Sequence, residues 1–259
     1  MKPIPIHGEE DLRHARRAGL LAAQLLASCA SAARPGVRTA DLDEFARRTC
    51  EALGTRSAFL GYCGYPAQVC ISINDTVIHG IPGDYVIQAG DIVSLDVGTL
   101  AEGFVGDNAL TIIAGGPSCA RSPDDLRLLE GTAAALDAGI AAAREGNRVG
   151  DISHAVEKVA VQHRLSIVRD YVGHGCGRKM HEEPEIPNFG PAGRGPVLKA
   201  GMILCIEPML NLGVRAVRVL NDGWTVKTRD GRNSAHFEHM VAITHGPAEI
   251  LTPRQPVSY

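Results

Sequence analysis

The chain has no Cys-x-x-Cys pair, no basic run and no apolar stretch long enough for a bilayer, and each absence removes a class of protein. Cys29, Cys50, Cys63, Cys70, Cys119, Cys176 and Cys205 are odd in number and widely spaced, which argues against a zinc knuckle, a thioredoxin-like motif or a complete disulfide framework. Most are read as reduced thiols, and Cys205 as a small buried strand residue. A formal net charge of −3 gives no overall basic field for nucleic acid, and Arg16-Arg17 and Arg47-Arg48 read as solvated helix faces. With no membrane-length run, and no apolar signal in MKPIPIHGEE, the expected location is the cytoplasm. What remains is ample for a core: 259 residues, 45% of them apolar and 21% charged, enough for one large domain or two fused halves.

The most telling pair of residues is Asp96 and Asp107. They lie in two apolar runs, DIVSLDV and FVGDNALTII, separated by Leu100-Ala101-Glu102-Gly103. A two-residue loop at Ala101-Glu102 would pair Leu100 with Gly103 and set Asp96 opposite Asp107. Opposed β-carbons sit roughly 4.5–5.5 Å apart, where two like charges repel unless a cation lies between them.

Three later segments supply matching donors. Val172-Gly173-His174-Gly175 sets a histidine in a glycine-lined turn, Met202 to Ile206 is an apolar strand ending in Glu207-Pro208, and Ala235 to Val241 is a strand carrying Glu238. A glutamate ending so apolar a run needs a partner. Four carboxylates balance the charge of two divalent cations, and an oxygen-rich set with one imidazole suits Mn, Fe(II) or Co at least as well as Zn. On the strand with Glu238, His239 should point to the opposite face, whereas His236 shares its face. His7, His14, His154, His163 and His245 are read as surface or satisfied core residues.

The chain also repeats itself weakly. Ala89 to Asp96 resembles Ala200 to Glu207 at an offset of 111, and Gly36 to Leu42 resembles Gly146 to Ile152 at an offset of 110. Leu42, Phe45, Ala46 and Leu53 follow a helical period, as do Ile152, Val156, Val159, Ala160 and His163. Before each lies another helical stretch, Glu10 to Ala33 and Pro123 to Arg144, the second opening with proline and acids. The expectation is a single α+β catalytic domain over 1–259 with an internal pseudo-repeat, roughly 10–115 and 123–245. Its helices would cover a mostly antiparallel sheet, with Asp96 and Glu207 equivalent about a pseudo-twofold axis.

Seven motifs then fall in order: Gly64-Tyr65-Pro66, Val69 to Asn74, His79-Gly80-Ile81-Pro82, Gly173-His174-Gly175, His181-Glu182-Glu183-Pro184, Ile206-Glu207-Pro208 and Asp222 to Thr228. Through them the chain resembles, over nearly its whole length, the type I methionine aminopeptidases of the pita-bread metallopeptidase fold. The resemblance implies a curved, mostly antiparallel sheet and two divalent ions held by Asp96, Asp107, His174, Glu207 and Glu238, with Asp107 and Glu238 bridging. It implies a bridging hydroxide as nucleophile, Glu207 as proton shuttle, and His79 and His181 as catalytic donors to the substrate amide and the tetrahedral intermediate. It further implies a methionine pocket of Tyr62, Tyr65, Cys70, His79 and Trp224, with His181 also contacting substrate.

The activity implied is removal of the initiator methionine from nascent chains whose second residue is small. The expected enzyme is a monomer of bacterial type, working near the ribosomal exit tunnel, with no membrane and no direct nucleic-acid site. Met180, where the family commonly has an aromatic residue, and Asn108, where it commonly has threonine, depart from the pattern, as do Cys63 and His236. Two alternatives are a proline-specific aminopeptidase or dipeptidase of the same fold, whose usual extra N-terminal domain has no counterpart here, and a non-catalytic pita-bread binding module, which would have lost ligands.

Overall fold

In the computed structural model, residues 3–255 are described, and Met1, Lys2 and the last four residues of the expected 1–259 domain lie outside the described residues. Four α-helices form among the described residues: α1 (Glu9–Ala32), α2 (Thr39–Ala52), α3 (Pro123–Ala142) and α4 (Val149–Gln162). Their starts follow from local chemistry. Glu9, Glu10 and Asp11 place negative charge at the positive end of α1. Ser122 and Asp125 form a reciprocal capping box around Pro123 at α3. Helices α1 and α3 match the expected stretches to within two residues at each end. The expected periods hold less evenly: Leu42 and Ala46 are buried, but Phe45 is exposed, and Leu53 and His163 fall just past their helices.

Every strand ladder among the described residues is antiparallel, but they divide into four sheets instead of one. One sheet joins Arg56–Ser57, Ile92–Ala101 and Cys70–Ile73 in that order, with Phe104–Ile113 also paired to Ile92–Ala101. A second runs Glu249–Ile250, His239–Ala242, Ile203–Ile206, Gly173–Gly175, Glu182–Ile186. Two three-stranded sheets flank them. Leu25 and Leu26 of α1 are fully buried with Val93, Leu95 and Val97 of the first sheet, each leucine stabilising by roughly 1.5–3 kcal/mol. Leu136 of α3 and Ile152 of α4 pack with Leu204, Ile206 and Val241 of the second.

The expected Ala235–Val241 strand is two strands, Ser234–His236 and His239–Ala242, with Phe237 and Glu238 between them. The physical reason lies in the backbone pairing. His236 N–H donates to Thr111 Oγ1 (2.9 Å) and the Thr111 hydroxyl to His236 O (2.8 Å), after which Glu238 N–H donates to Ala109 O at 2.9 Å. The segment therefore leaves its own ladder to bind the Asp107 strand, and this stitch joins the sheets beside Asp107 and Glu238.

Matching contacts recur in the two halves. Gly36 N–H donates to Ile87 O (2.8 Å) as Gly146 N–H does to Leu198 O (3.0 Å), and the isolated bridges Arg38–Val86 and Arg148–Val197 stand at the same offsets.

The long hairpin and α1 touch at backbone distance. A β-carbon on Gly106 would lie 2.3 Å from Ala18 O, and the Thr99 hydroxyl donates to the same carbonyl at 2.9 Å. Gly106→Ala should therefore destabilise the protein by about 3 kcal/mol and lower Tm by roughly 6–12 °C. An unchanged Tm in thermal denaturation would refute this close packing.

Candidate active site

The hairpin that carries the two aspartates turns at Glu102-Gly103, not Ala101-Glu102. Ala101 pairs with Phe104, and both turn residues have positive φ (52° and 79°), the conformation of a two-residue type I′ turn. This corrects the expected register by two residues: Asp96 faces Ala109, and Asp107 faces Gly98. Because side chains alternate with period two, an even slip leaves both aspartates on one face as diagonal neighbours. Glycine at 102 would have signalled the turn; glutamate there hid it. The Glu102 carboxylate pairs instead with His14 of α1.

His174 lies in the Gly173–Gly175 strand, not in a turn, directly across from Cys205 of Ile203–Ile206. Its Nδ1 lies 2.9 Å from Gly175 O and must donate there, so Nε2 carries the lone pair. That nitrogen lies 3.2 Å from Glu207 Oε1 and 3.8 Å from Asp107 Oδ2. A lone pair facing carboxylate oxygens at such range calls for a cation or a proton between them. One ligand atom each from Asp107, His174, Glu238 and Cys205 lie within 4.8 Å of one another, all four residues buried. Asp96 and Glu207 line the same pocket. Asp96 Oδ1, Glu238 Oε1 and His236 Nε2 are buried without hydrogen-bond partners. Such orphaned acceptors are costly in a folded protein, and together with this donor set they fit divalent cations.

Burial dominates the ionisation of this cluster. It raises the Asp107 carboxyl to about 7, against a lowering hydrogen bond from Asn108 N–H. Burial and then the Asp107 charge raise Asp96 well above the ordinary range, as burial, Asp107 and Asp96 do for Glu207. Glu238 is raised by burial, Asp107, Glu207 and Asp96. His174 falls to about 3 through burial and the neighbouring His181, and His79 to about 4 for the same two reasons. At neutral pH these imidazoles are uncharged.

Beside this cluster the pocket wall turns apolar and aromatic. Tyr62, Tyr65, Cys70, His79, His181 and Trp224, all expected from the sequence, line it, and so does Met180. The Tyr65 ring meets Trp224 edge-on at 5.1 Å, and Trp224 meets His79 at 5.9 Å. Tyr62 Oη lies 2.7 Å from His181 Nδ1, and the His181 and His174 rings lie 4.3 Å apart. His79 adopts φ 57° beside Gly80, where a β-carbon would stand 2.2 Å from Ile71 O. The backbone is thus wedged against its neighbour and turns the imidazole inward.

Phe59, Ile78, Tyr171 and Val172 complete the lining and were not anticipated; each sits in or beside a short irregular segment with no periodic signal. Cys205 also escaped notice as a donor, although it precedes Glu207 by two residues and so shares its face. His236 Nε2 lies 3.6 Å from Glu207 Oε2, while His239 points away and bonds Thr252 at 2.9 Å. His7, expected at the surface or satisfied in the core, is buried with Nδ1 3.2 Å from Asp11, while Nε2 has no hydrogen bond and lies 4.0 Å from Glu182 Oε2. Asn108 is buried and accepts from Arg254 Nη1 at 3.2 Å, and Arg254 Nη2 donates to Glu238 O at 3.2 Å.

The comparisons with known proteins fix the class first. The model of metallopeptidase family M24 matches residues 13–245, and the chain belongs to that family. Within it, the chain is 45% identical over 219 residues to methionine aminopeptidase 1 of Bacillus subtilis, covering 85% of this chain and 87% of that protein. It is 44% identical over 249 residues to the methionine aminopeptidase of Clostridium perfringens, covering 96% and 98%. The crystal structure of the Rickettsia prowazekii methionine aminopeptidase superposes with a TM-score of 0.93 at 39% identity, over 97% of this chain and all of that one. The fold is therefore the α+β pita-bread arrangement.

The raised carboxyl pKa values have a thermodynamic consequence for metal-stripped protein. A carboxyl whose folded pKa exceeds its unfolded one stabilises the fold while protonated and loses that contribution as pH rises through the folded value. Buried His79, His174, His236 and His239, lowered to between about 3 and about 4, act oppositely, but only up to the unfolded histidine range near ~6.5. Above about pH 7 the carboxyls alone remain of these two sets. With chelator present, Tm should fall as pH rises through about 7, the value to which burial raises Asp107, and fall less in Glu238→Gln. Melting curves with a flat or rising Tm would show that these carboxyls ionise without penalty.

Proposed function

We propose that this protein is a metal-dependent aminopeptidase that removes the N-terminal methionine of nascent chains when the second residue is small. The observation that carries the reading is the junction of two surfaces in one pocket: a buried cage of carboxylates and an imidazole, and a soft aromatic slot beside it. A thioether fits such a slot, through sulfur–aromatic contact with Tyr65 and Trp224 and with the Cys70 thiol nearby. The names of the relatives agree with this choice of side chain.

Asp96, Asp107, His174, Glu207 and Glu238 would hold two divalent ions, with Asp107 and Glu238 shared and Mn, Fe(II) or Co as occupants. Bound there, such ions polarise a scissile carbonyl and acidify water. In this reading Glu207, which is flanked by the His174 and His236 nitrogens, takes the proton of the attacking water and delivers it to the leaving amine. His79 and His181, uncharged at neutral pH, each offer one ring N–H to the oxygen on which negative charge develops. The Tyr62 hydroxyl orients His181 through its ring nitrogen.

The same reading places the enzyme in the cytoplasm as a monomer acting near the ribosomal exit tunnel; no helix among the described residues is long and apolar enough to cross a membrane. It treats the chain as one catalytic domain built from a pseudo-repeat, roughly 10–115 and 123–245, supported by the matching contacts of Gly36 and Gly146.

Peptide hydrolysis tests the assignment. With Mn²⁺ or Co²⁺ the protein should release methionine from Met-Ala-Ser, spare Met-Lys-Ser and Xaa-Pro peptides, and stop on chelation. Cleavage of Xaa-Pro would move the protein to the proline-specific reading, and silence with every metal to a binding module. Glu207→Gln should lower kcat by roughly 10²–10⁴-fold and His181→Ala by roughly 10²–10³-fold, with folding preserved by circular dichroism. Full turnover in Glu207→Gln would remove Glu207 from the proton path.

A further inference from the structure

One member of the four-residue donor cluster has no part in the reaction just described. Cys205 is fully buried in the Ile203–Ile206 strand, directly across from His174 and two residues before Glu207, so it lies on the face that carries both. A ligand atom from each of Asp107, His174, Glu238 and Cys205 fits within 4.8 Å. Donors sharing one tetrahedral ion, at bond lengths of roughly 2.0–2.3 Å, stand a little closer together than that, so small side-chain rotations would suffice. Cys70 and Cys176 are also buried but fall outside this cluster.

We propose that Cys205 gives this centre a second coordination mode, in which a thiophilic divalent ion is held by Asp107, His174, Glu238 and the Cys205 sulfur. The inference rests on the reading that Asp107, His174 and Glu238 ligate cations. Its chemistry is a contrast of donor sets: hard oxygens favour Mn²⁺, whereas sulfur joined to one imidazole and two carboxylates favours Zn²⁺ or Cd²⁺. Forming the metal–sulfur bond releases the thiol proton to solvent, with no change of oxidation state. Since three of the four donors belong to the set proposed for the working ions, a soft ion in this mode competes with them and blocks the enzyme.

Cd²⁺ is the probe, because a cadmium–thiolate bond adds a sulfur-to-metal charge-transfer band in the near ultraviolet that oxygen and nitrogen ligands do not produce. The full chain is used with exposed Cys63 and half-buried Cys119 replaced by serine. Titration with Cd²⁺ should raise the band to saturation near one equivalent. Cys205→Ala in that background should abolish it, whereas Cys70→Ala and Cys176→Ala should keep it. Since loss of a partner outside the ligand set already costs 10–100-fold in affinity, removal of Cys205 should weaken Cd²⁺ by at least about tenfold. Mn²⁺ uptake by calorimetry should change little in the same variant. Should Cys205→Ala fail to fold, the near-isosteric Cys205→Ser gives the same readings. A missing band, or one that survives loss of Cys205, overturns the proposal while Mn²⁺ binding persists. Failure of Mn²⁺ to bind the unsubstituted protein overturns instead the metal reading beneath it.

Discussion

Four carboxyl groups line one pocket, Asp107 and Glu238 buried and Asp96 and Glu207 half-buried, and the rest of the structure is organised around that electrostatic conflict. In a low-dielectric interior their mutual repulsion and lost hydration are too costly for all four to ionise unaided. Burial is the largest contribution to the shift of each one. The protein leaves the conflict in place: among the described residues Asp96 Oδ1 and Glu238 Oε1 have no hydrogen-bond partner, and no lysine or arginine lines the pocket. A neutralising arginine would have stabilised the apoprotein and removed the demand for cations. The cage is thus a place where stability is given up for binding.

The scaffold holds this arrangement through contacts that cross between sheets. The Ala109 carbonyl and Thr111 hydroxyl of the aspartate hairpin fix the backbone of Glu238 and His236. Arg254 ties Asn108, next to Asp107, to the carbonyl of Glu238. Burial pushes its guanidinium down to about 10, opposed by the Glu238 charge. The departure at Asn108 therefore has a local role: its side chain accepts a hydrogen bond on the face of the strand away from the cage. Met180 has a different one, since its terminal methyl lies 3.1 Å from the β-carbon position of Gly98, opposite Asp107. The flexible thioether fits itself to this narrow space.

Much of the site was legible because its chemistry is bound to strand periodicity. Asp96 and Asp107 stay on one face whether the hairpin turns at 101–102 or 102–103, since only an odd slip would separate them. The same alternation sorted His236 from His239, even though the strand assumed to carry both is broken at Phe237 and Glu238. The seven motifs between Gly64 and Thr228 carried the fold. Sequence reasoning failed where the signal is not periodic: the turn at Glu102-Gly103, the placement of His174 in a three-residue strand, the division into four sheets, and lining residues such as Phe59 and Tyr171 on irregular segments.

The sequence by itself determined the inventory: which carboxylates and imidazoles exist, and which pairs of them share a strand face. Those follow from chemical identity and from a period of two, both of which are local. Tertiary structure alone decided the distances that turn an inventory into a centre, with His174 Nε2 at 3.2 Å from Glu207 and Cys205 drawn in among Asp107, His174 and Glu238. Those distances depend on how separate ladders are stitched together across more than 100 residues of chain, and no local rule of propensity or periodicity encodes a cross-sheet hydrogen bond.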